Sequence, residues 1–203
     1  MSLTIYGYAQ SRTFRTLWMA EELRIAKGVR YVHDGRIFSS DEERSLLLSL
    51  NPMGKVPVID QEGFVLHESM AINLYLARKY DCLAPKSLEQ EALAWQWSFW
   101  VMTSVDSHLL DCLRYTLGIL GATKDDQRAA QIQEQLDRPF TVLNGELAKS
   151  TYLLGDEFSV ADLNVASVFA WARMANLPMS HLPSLDDWLT RCMDRPATRA
   201  TNS

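Results

Sequence analysis

Three short stretches near the start of this chain carry groups suited to holding a small polar molecule. Leu50-Asn51-Pro52-Met53-Gly54-Lys55-Val56-Pro57-Val58-Ile59 is a turn followed by an apolar, β-branched run. Asn-Pro starts turns and Gly54 supplies free dihedrals, while Val56-Pro57-Val58-Ile59 reads as a buried strand. Proline removes a ladder donor and so belongs at an edge or a strand start. That leaves the Val56 N–H and C=O to pair with something outside the sheet, and a short peptide suits. X-Pro bonds can be cis, which would turn the Val56 backbone toward a crevice. Ser11 stands where a helical pattern begins, so its hydroxyl and nearby helix N–H groups can face an anion; the alternative is a plain helix N-cap. Glu68-Ser69 opens another helix. A hydroxyl beside free N–H groups there makes a carboxylate site, or else an N-cap pair with favourable dipole charge.

Periodicity gives the elements that must position these groups. Leu3-Thr4-Ile5-Tyr6-Gly7-Tyr8 alternates and is rich in strand formers, which makes it a first strand. From Arg12 to Ile25 the apolar residues Phe14, Leu17, Trp18, Ala20 and Leu23 recur at helical spacing, and Lys27-Gly28 offers a cation and a glycine as the helix end. Val29-Arg30-Tyr31-Val32 is a short second strand, parallel to the first by the handedness of strand-helix-strand units. Asp34 to Ser40 is polar and turn-like, Asp41 to Leu50 is a short helix, and the Val56 run is a third strand. Gln61-Glu62-Gly63 makes a hairpin to a fourth, antiparallel strand at Phe64-Val65-Leu66. The next helix sets Ile72, Tyr75, Leu76 and Tyr80 on one face. The order is βαβαββα over residues 1–80, then a linker over 81–87 with Pro85, then an all-α region over 88–203.

In that second region Glu89 to Leu120 reads as one long amphipathic helix and Lys124 to Lys149 as another, kinked at Pro139. Trp100, Ser104, His108, Asp111 and Tyr115 recur at three- and four-residue steps on one face of the first. Ser159 and Asp162 have the spacing of a capping box, with Phe158 placed to staple onto Leu163, so this pair is assigned to stability. The helix that they open is apolar nearly all round, as a central core helix is. Pro183 precedes a last helix through Met193, and Asp194 to Ser203 reads as a frayed tail.

Composition narrows the function classes. With 203 residues, 47% of them hydrophobic and 22% charged, the chain has the profile of an ordinary globular protein of one or two domains. A net charge of −5 argues against a nucleic-acid partner. No apolar run approaches the ~20 residues that span a bilayer, and Met1-Ser2-Leu3-Thr4 lacks the regions of a secretion signal. Cys82, Cys112 and Cys192 are scattered and odd in number, which fits reduced thiols in a cytoplasm. His33, His67, His108 and His181 have no metal-ligand spacing, so no metal is expected.

Asn51-Pro52-Met53-Gly54-Lys55-Val56-Pro57, then Glu68-Ser69-Met70-Ala71-Ile72 with Tyr75-Leu76, then Ser159-Val160-Ala161-Asp162, resemble in order and separation the motifs of the cytosolic glutathione transferase superfamily, in its bacterial-like, serine-type (theta-like) form. The resemblance covers nearly the whole chain. It implies a thioredoxin-like first domain, an all-helical second domain and a homodimer in which Met70 and its neighbours meet the partner. It further implies glutathione as co-substrate and a small hydrophobic electrophile as acceptor.

The resemblance also assigns roles. An unperturbed thiol has a pKa near ~8.5, so only a few per cent is thiolate at pH 7. The thiolate is the nucleophile, and lowering that pKa by ~2 units requires about 2.7 kcal/mol. Ser11 is the implied donor to the sulfur, with Tyr6, and less so Tyr8, as rivals. Ser69 would bind the γ-glutamyl carboxylate and Glu68 the ammonium at that end. Val56, ahead of a cis Pro57, would pair with the cysteinyl unit, and Lys55 would reach the glycyl carboxylate. Arg12 and Arg15 flank the nucleophile site; either can raise the local potential, and Arg15 can equally face solvent or pair with Glu21 or Glu22. Trp100, Ser104, His108 and Tyr115 would line the electrophile pocket. No cysteine lies near Ser11, which disfavours the disulfide-reducing branch. A glutathione-dependent isomerase, dehalogenase or peroxidase on the same fold, or a non-catalytic binding protein, are the alternatives. Ala9-Gln10-Ser11-Arg12-Thr13 departs from the serine- and cysteine-rich loop of the isomerase branch.

Overall fold

The computed structural model describes residues 3–25, 27–30 and 40–201. The chain divides into two compact units, one of Met1–Ala84 with Pro196–Ser203 and one of Pro85–Arg195.

The first unit is built on a four-stranded mixed sheet. Its strands are β1 (Leu3–Tyr6), β2 (Lys27–Arg30), β3 (Val58–Gln61) and β4 (Phe64–His67), in the order β2-β1-β3-β4. β1 runs parallel to β2 and antiparallel to β3, and β3 runs antiparallel to β4. Alternation along β1 covers both faces of the sheet. Leu3 and Ile5 are buried on one side, while Tyr6 on the other clusters with Leu47, Val56 and Val58. Leu47 is the buried residue of α2 (Asp41–Leu50), whose Ser40 cap accepts the Glu43 N–H at 3.2 Å and whose first turn is acidic. α1 (Thr13–Leu23) packs on β1 and on α3 (Ser69–Tyr80). In the hairpin, Glu62 (φ 57°) and Gly63 (φ 89°) take the left-handed conformations of a tight turn, and Asp60 Oδ1 accepts the Gly63 N–H at 2.8 Å.

The βαβαββα order holds, with corrections at three boundaries. α1 ends at Arg24 in the left-handed conformation; Lys27 and Gly28 belong to β2. Tyr31 and Val32 of the expected second strand, and Asp34 to Ser39 of the expected turn, lie outside the described residues. β3 begins at Val58, so Val56 and Pro57 precede the strand. The expected frayed tail holds a helix, α10 (Pro196–Thr201), which packs on α1 with Thr198 buried. That cover explains why so much of α1 is buried, Thr13 and Arg15 to Ala20 included.

The second unit is helical. Residues 89–120 form two helices, α4 (Leu88–Ser104) and α5 (Asp106–Leu117), broken at Val105 (φ −130°, ψ −49°). Just before the break the Thr103 hydroxyl donates back to the Phe99 carbonyl at 3.0 Å, a competition with the helix ladder that favours bending. Asp106 then opens α5, where a carboxylate suits the helix dipole. Residues 124–149 likewise form α6 (Asp126–Glu134) and α7 (Asp137–Leu147). Pro139 is the third residue of α7. Its missing N–H is one that no helix start could pair, so it begins a helix and does not kink one. α8 (Val160–Met174) is the core; α4, α5 and α9 (Pro183–Met193) pack on it. Ser159 and Asp162 form the capping box, and Phe158 packs edge-on against Tyr152 with ring centroids 5.7 Å apart.

Candidate functional site

Two helix starts of the first unit are joined by one buried arginine. Ser69 is the first residue of α3 and is buried. Its Oγ accepts from Arg15 Nη1 at 3.4 Å. Arg15 is 1% exposed, and its carbonyl accepts from Asn73 Nδ2 at 3.3 Å. Arg15 therefore does not face solvent. Glu21 takes Lys27, and Glu22 accepts the Trp18 Nε1–H at 3.0 Å. Beside Ser69 stands Glu68, exposed, with φ 74° and ψ 109°. A non-glycine residue in that region costs on the order of 1–3 kcal/mol and persists where its surroundings fix it.

Ser11 lies two residues ahead of α1 and is half-buried. Its Oγ is 2.6 Å from the Tyr8 carbonyl and 2.9 Å from Thr13 Oγ1, and it accepts the Thr13 N–H at 3.1 Å. Thr13 fits beneath Gly7, whose φ is 147° and whose added Cβ would stand 2.0 Å from Thr13 Oγ1. A Gly7→Ala chain should lose about 3 kcal/mol of stability from overpacking and backbone strain together. Denaturant titration checks this; a loss below about 1 kcal/mol would show that the loop relaxes freely.

Tyr6, the rival to Ser11, is 9% exposed and packs in the cluster of Leu47, Val56 and Val58, with Tyr8 against the same cluster. The Val56-Pro57 peptide is cis, and both residues are buried, while Lys55 is exposed. Asn51 organises the turn before them. Its buried side chain donates from Nδ2 to the Lys55 carbonyl at 2.8 Å and accepts the Met53 N–H at 3.1 Å. Sequence reasoning saw Asn51 as a turn starter but not as the clamp on Lys55. It missed Thr13 entirely.

The four residues assigned to an electrophile pocket share no helix face. Trp100 and Ser104 are on α4, and His108 and Tyr115 are on α5, beyond the break. A cleft of about 460 Å³ between α4 and α7 has Trp97 and Trp100 in its wall, their rings edge-to-face at 5.1 Å. Ser104, His108 and Tyr115 do not line it. Tyr115 packs beside Cys112, Ala129 and Ile132, with the Arg128 guanidinium 5.9 Å above its ring. Among the described residues no cluster of His, Cys, Asp and Glu is arranged to hold a metal ion. No helix among them is long and apolar enough to cross a membrane.

A thioredoxin-like unit joined to an all-helical unit defines the class. The family models described as "Glutathione S-transferase, N-terminal domain" and "Glutathione S-transferase, C-terminal domain" match residues 1–78 and 92–196. The chain belongs to the glutathione S-transferase family. It is 36% identical over 175 residues to glutathione S-transferase hmp2 of Hypomyces subiculosus, covering 80% of this chain and 79% of that one. Its fold matches a theta-class glutathione S-transferase from Xanthomonas axonopodis pv. citri, solved with glutathione bound, at a TM-score of 0.84 and 29% identity over 98% of this chain and 96% of that one. It is also 27% identical to elongation factor 1-gamma of Carassius auratus, over 97% of this chain but only 45% of that protein.

Proposed function

We propose that this chain is a glutathione transferase that binds glutathione in its first unit and transfers the sulfur to a small hydrophobic electrophile. The observation that carries the reading is a pair of polar helix starts: the Ser11 hydroxyl ahead of α1, which accepts the Thr13 N–H, and the Ser69 hydroxyl opening α3, which accepts from the buried Arg15 of α1. Ser69 and the N–H groups of α3 take the γ-glutamyl carboxylate, and Glu68 takes the ammonium. The Val56 backbone pairs with the cysteinyl unit, and Lys55 reaches the glycyl carboxylate. Ser11 donates to the sulfur. The thiol gives its proton to solvent, the thiolate lone pair forms the C–S bond, and the leaving group departs with its electron pair. The electrophile contacts proposed for the helical unit are Trp100, Ser104, His108 and Tyr115; the Tyr115 ring also packs within the α5–α6 cluster.

Conjugation of glutathione to a chlorinated nitrobenzene tests the reading directly. Saturable turnover is expected; none, from a folded chain, would contradict it. Ser69→Ala should weaken glutathione binding about tenfold, the worth of a hydrogen bond to a charged group, and leave kcat within about twofold. Fluorescence titration against steady-state kinetics separates the two effects. Screening maleyl compounds, haloalkanes and cumene hydroperoxide distinguishes the isomerase, dehalogenase and peroxidase alternatives.

The likeness to elongation factor 1-gamma favours a second reading, a non-catalytic domain of this family. A folded chain that fails to bind a glutathione resin would support it. We also propose a homodimer in the cytoplasm. Met70 is 7% exposed; exposed apolar groups of the first unit include Phe64 and Val65 on β4, where the Phe64 ring lies 5.1 Å from that of Tyr75.

A further inference from the structure

Ser11 Oγ has three polar neighbours: the Tyr8 carbonyl at 2.6 Å, the Thr13 N–H at 3.1 Å and Thr13 Oγ1 at 2.9 Å. A hydroxyl has one hydrogen and two lone pairs. The Tyr8 carbonyl brings no hydrogen, so at that separation the Ser11 hydrogen must point to it. The contact with Thr13 Oγ1 is then made by the hydrogen of Thr13. Thr13 thus fills both lone pairs of Ser11 Oγ, one from its backbone and one from its side chain. Ser11 is left able only to donate.

We propose that Thr13 is the positioning residue that makes Ser11 a dedicated donor to the glutathione sulfur. The inference rests on the role given to Ser11 above. An arriving thiolate competes with the Tyr8 carbonyl for the Ser11 hydrogen, and the hydroxyl turns about its Cβ–Oγ bond while Thr13 holds the oxygen in place. A neutral thiol would instead seek an acceptor for its S–H, and with both lone pairs filled Ser11 offers none. The arrangement therefore favours the anion over the thiol. An oxygen that accepts two hydrogen bonds is also the more polarised donor. Thr13 is fully buried, and Gly7 supplies the space for its hydroxyl.

The test compares the parent chain, Thr13→Val, Thr13→Ala, Thr13→Ser and Ser11→Ala. The readouts are the ultraviolet absorbance of the bound thiolate as a function of pH, and glutathione affinity by titration. Valine keeps the shape and the backbone N–H and deletes only the hydroxyl; alanine deletes it without filling the space. Both are expected to bind glutathione within about threefold of the parent, to raise the apparent pKa of the bound thiol by roughly half a unit to one unit, and to lower kcat/KM at neutral pH about three- to tenfold. Serine is expected to restore both. A parental pKa in the valine and alanine chains, beside a raised one in Ser11→Ala, would reduce Thr13 to packing and overturn the proposal alone. An unshifted pKa in Ser11→Ala would overturn the role of Ser11 and the proposal with it.

Discussion

Ser11→Ala should bind glutathione as tightly as the parent chain and conjugate it roughly 10- to 100-fold more slowly at neutral pH, the worth of one hydrogen bond to an anion. The split follows from where the binding groups are. Ser69, Glu68 and the Val56 backbone hold the peptide, and none of them depends on the Ser11 side chain. Among the described residues Ser11 Oγ bonds within its own loop, to Tyr8 and Thr13. Removing it takes one acceptor from the Thr13 N–H, while the Tyr8 carbonyl keeps the Ser11 backbone N–H at 3.2 Å. The rate should recover as pH rises toward the ordinary thiol range, because hydroxide then does what Ser11 no longer does. Stopped-flow or steady-state rates across that range check the claim. Unchanged turnover at neutral pH would remove Ser11 from the mechanism.

Asp162→Ala should cost about 3–5 kcal/mol and lower the melting temperature by about 10 °C or more. The Asp162 carboxylate is fully buried. It accepts the Leu153 N–H at 2.9 Å, the Ser159 N–H at 3.0 Å, the Ser159 hydroxyl at 2.7 Å and the Trp188 Nε1–H at 2.9 Å. Alanine would strand these donors in the core. Burial pushes the Asp162 carboxyl above its ordinary value, against the pull of those donors. The folded chain then holds that proton more tightly than the unfolded chain does. Its contribution to stability is fullest at pH below the ordinary carboxylate range and is lost as pH rises from that range through the raised value of the folded chain. Calorimetric melts read both effects, and a melting temperature within about 3 °C of the parent would contradict the assignment.

Residue pattern showed much of the fold, and the misses have physical causes. The sheet was legible because alternation along Leu3–Tyr6 and the Glu62-Gly63 turn are local signals. The breaks at Val105 and near Leu136 were not, because apolar periodicity runs on across both. Pro139 pointed to a break nearby but misplaced it, since a helix start tolerates proline. Gly28 misled because the left-handed cap went to Arg24. α10 is held by docking on α1, which no local pattern announces. At the candidate site the two serines could be read as helix starts. The bond from α1 to the second of them could not, because Arg15 and Ser69 are 54 positions apart in the chain.

The central claim is that the first unit binds glutathione through Ser69 and presents its sulfur to Ser11. Calorimetric titration of the whole chain with glutathione, repeated on Ser69→Ala and Ser11→Ala, tests it most directly. The account predicts saturable binding to the parent chain, unchanged in Ser11→Ala and about tenfold weaker in Ser69→Ala. No binding to a folded parent chain, or equal binding to all three, would contradict it.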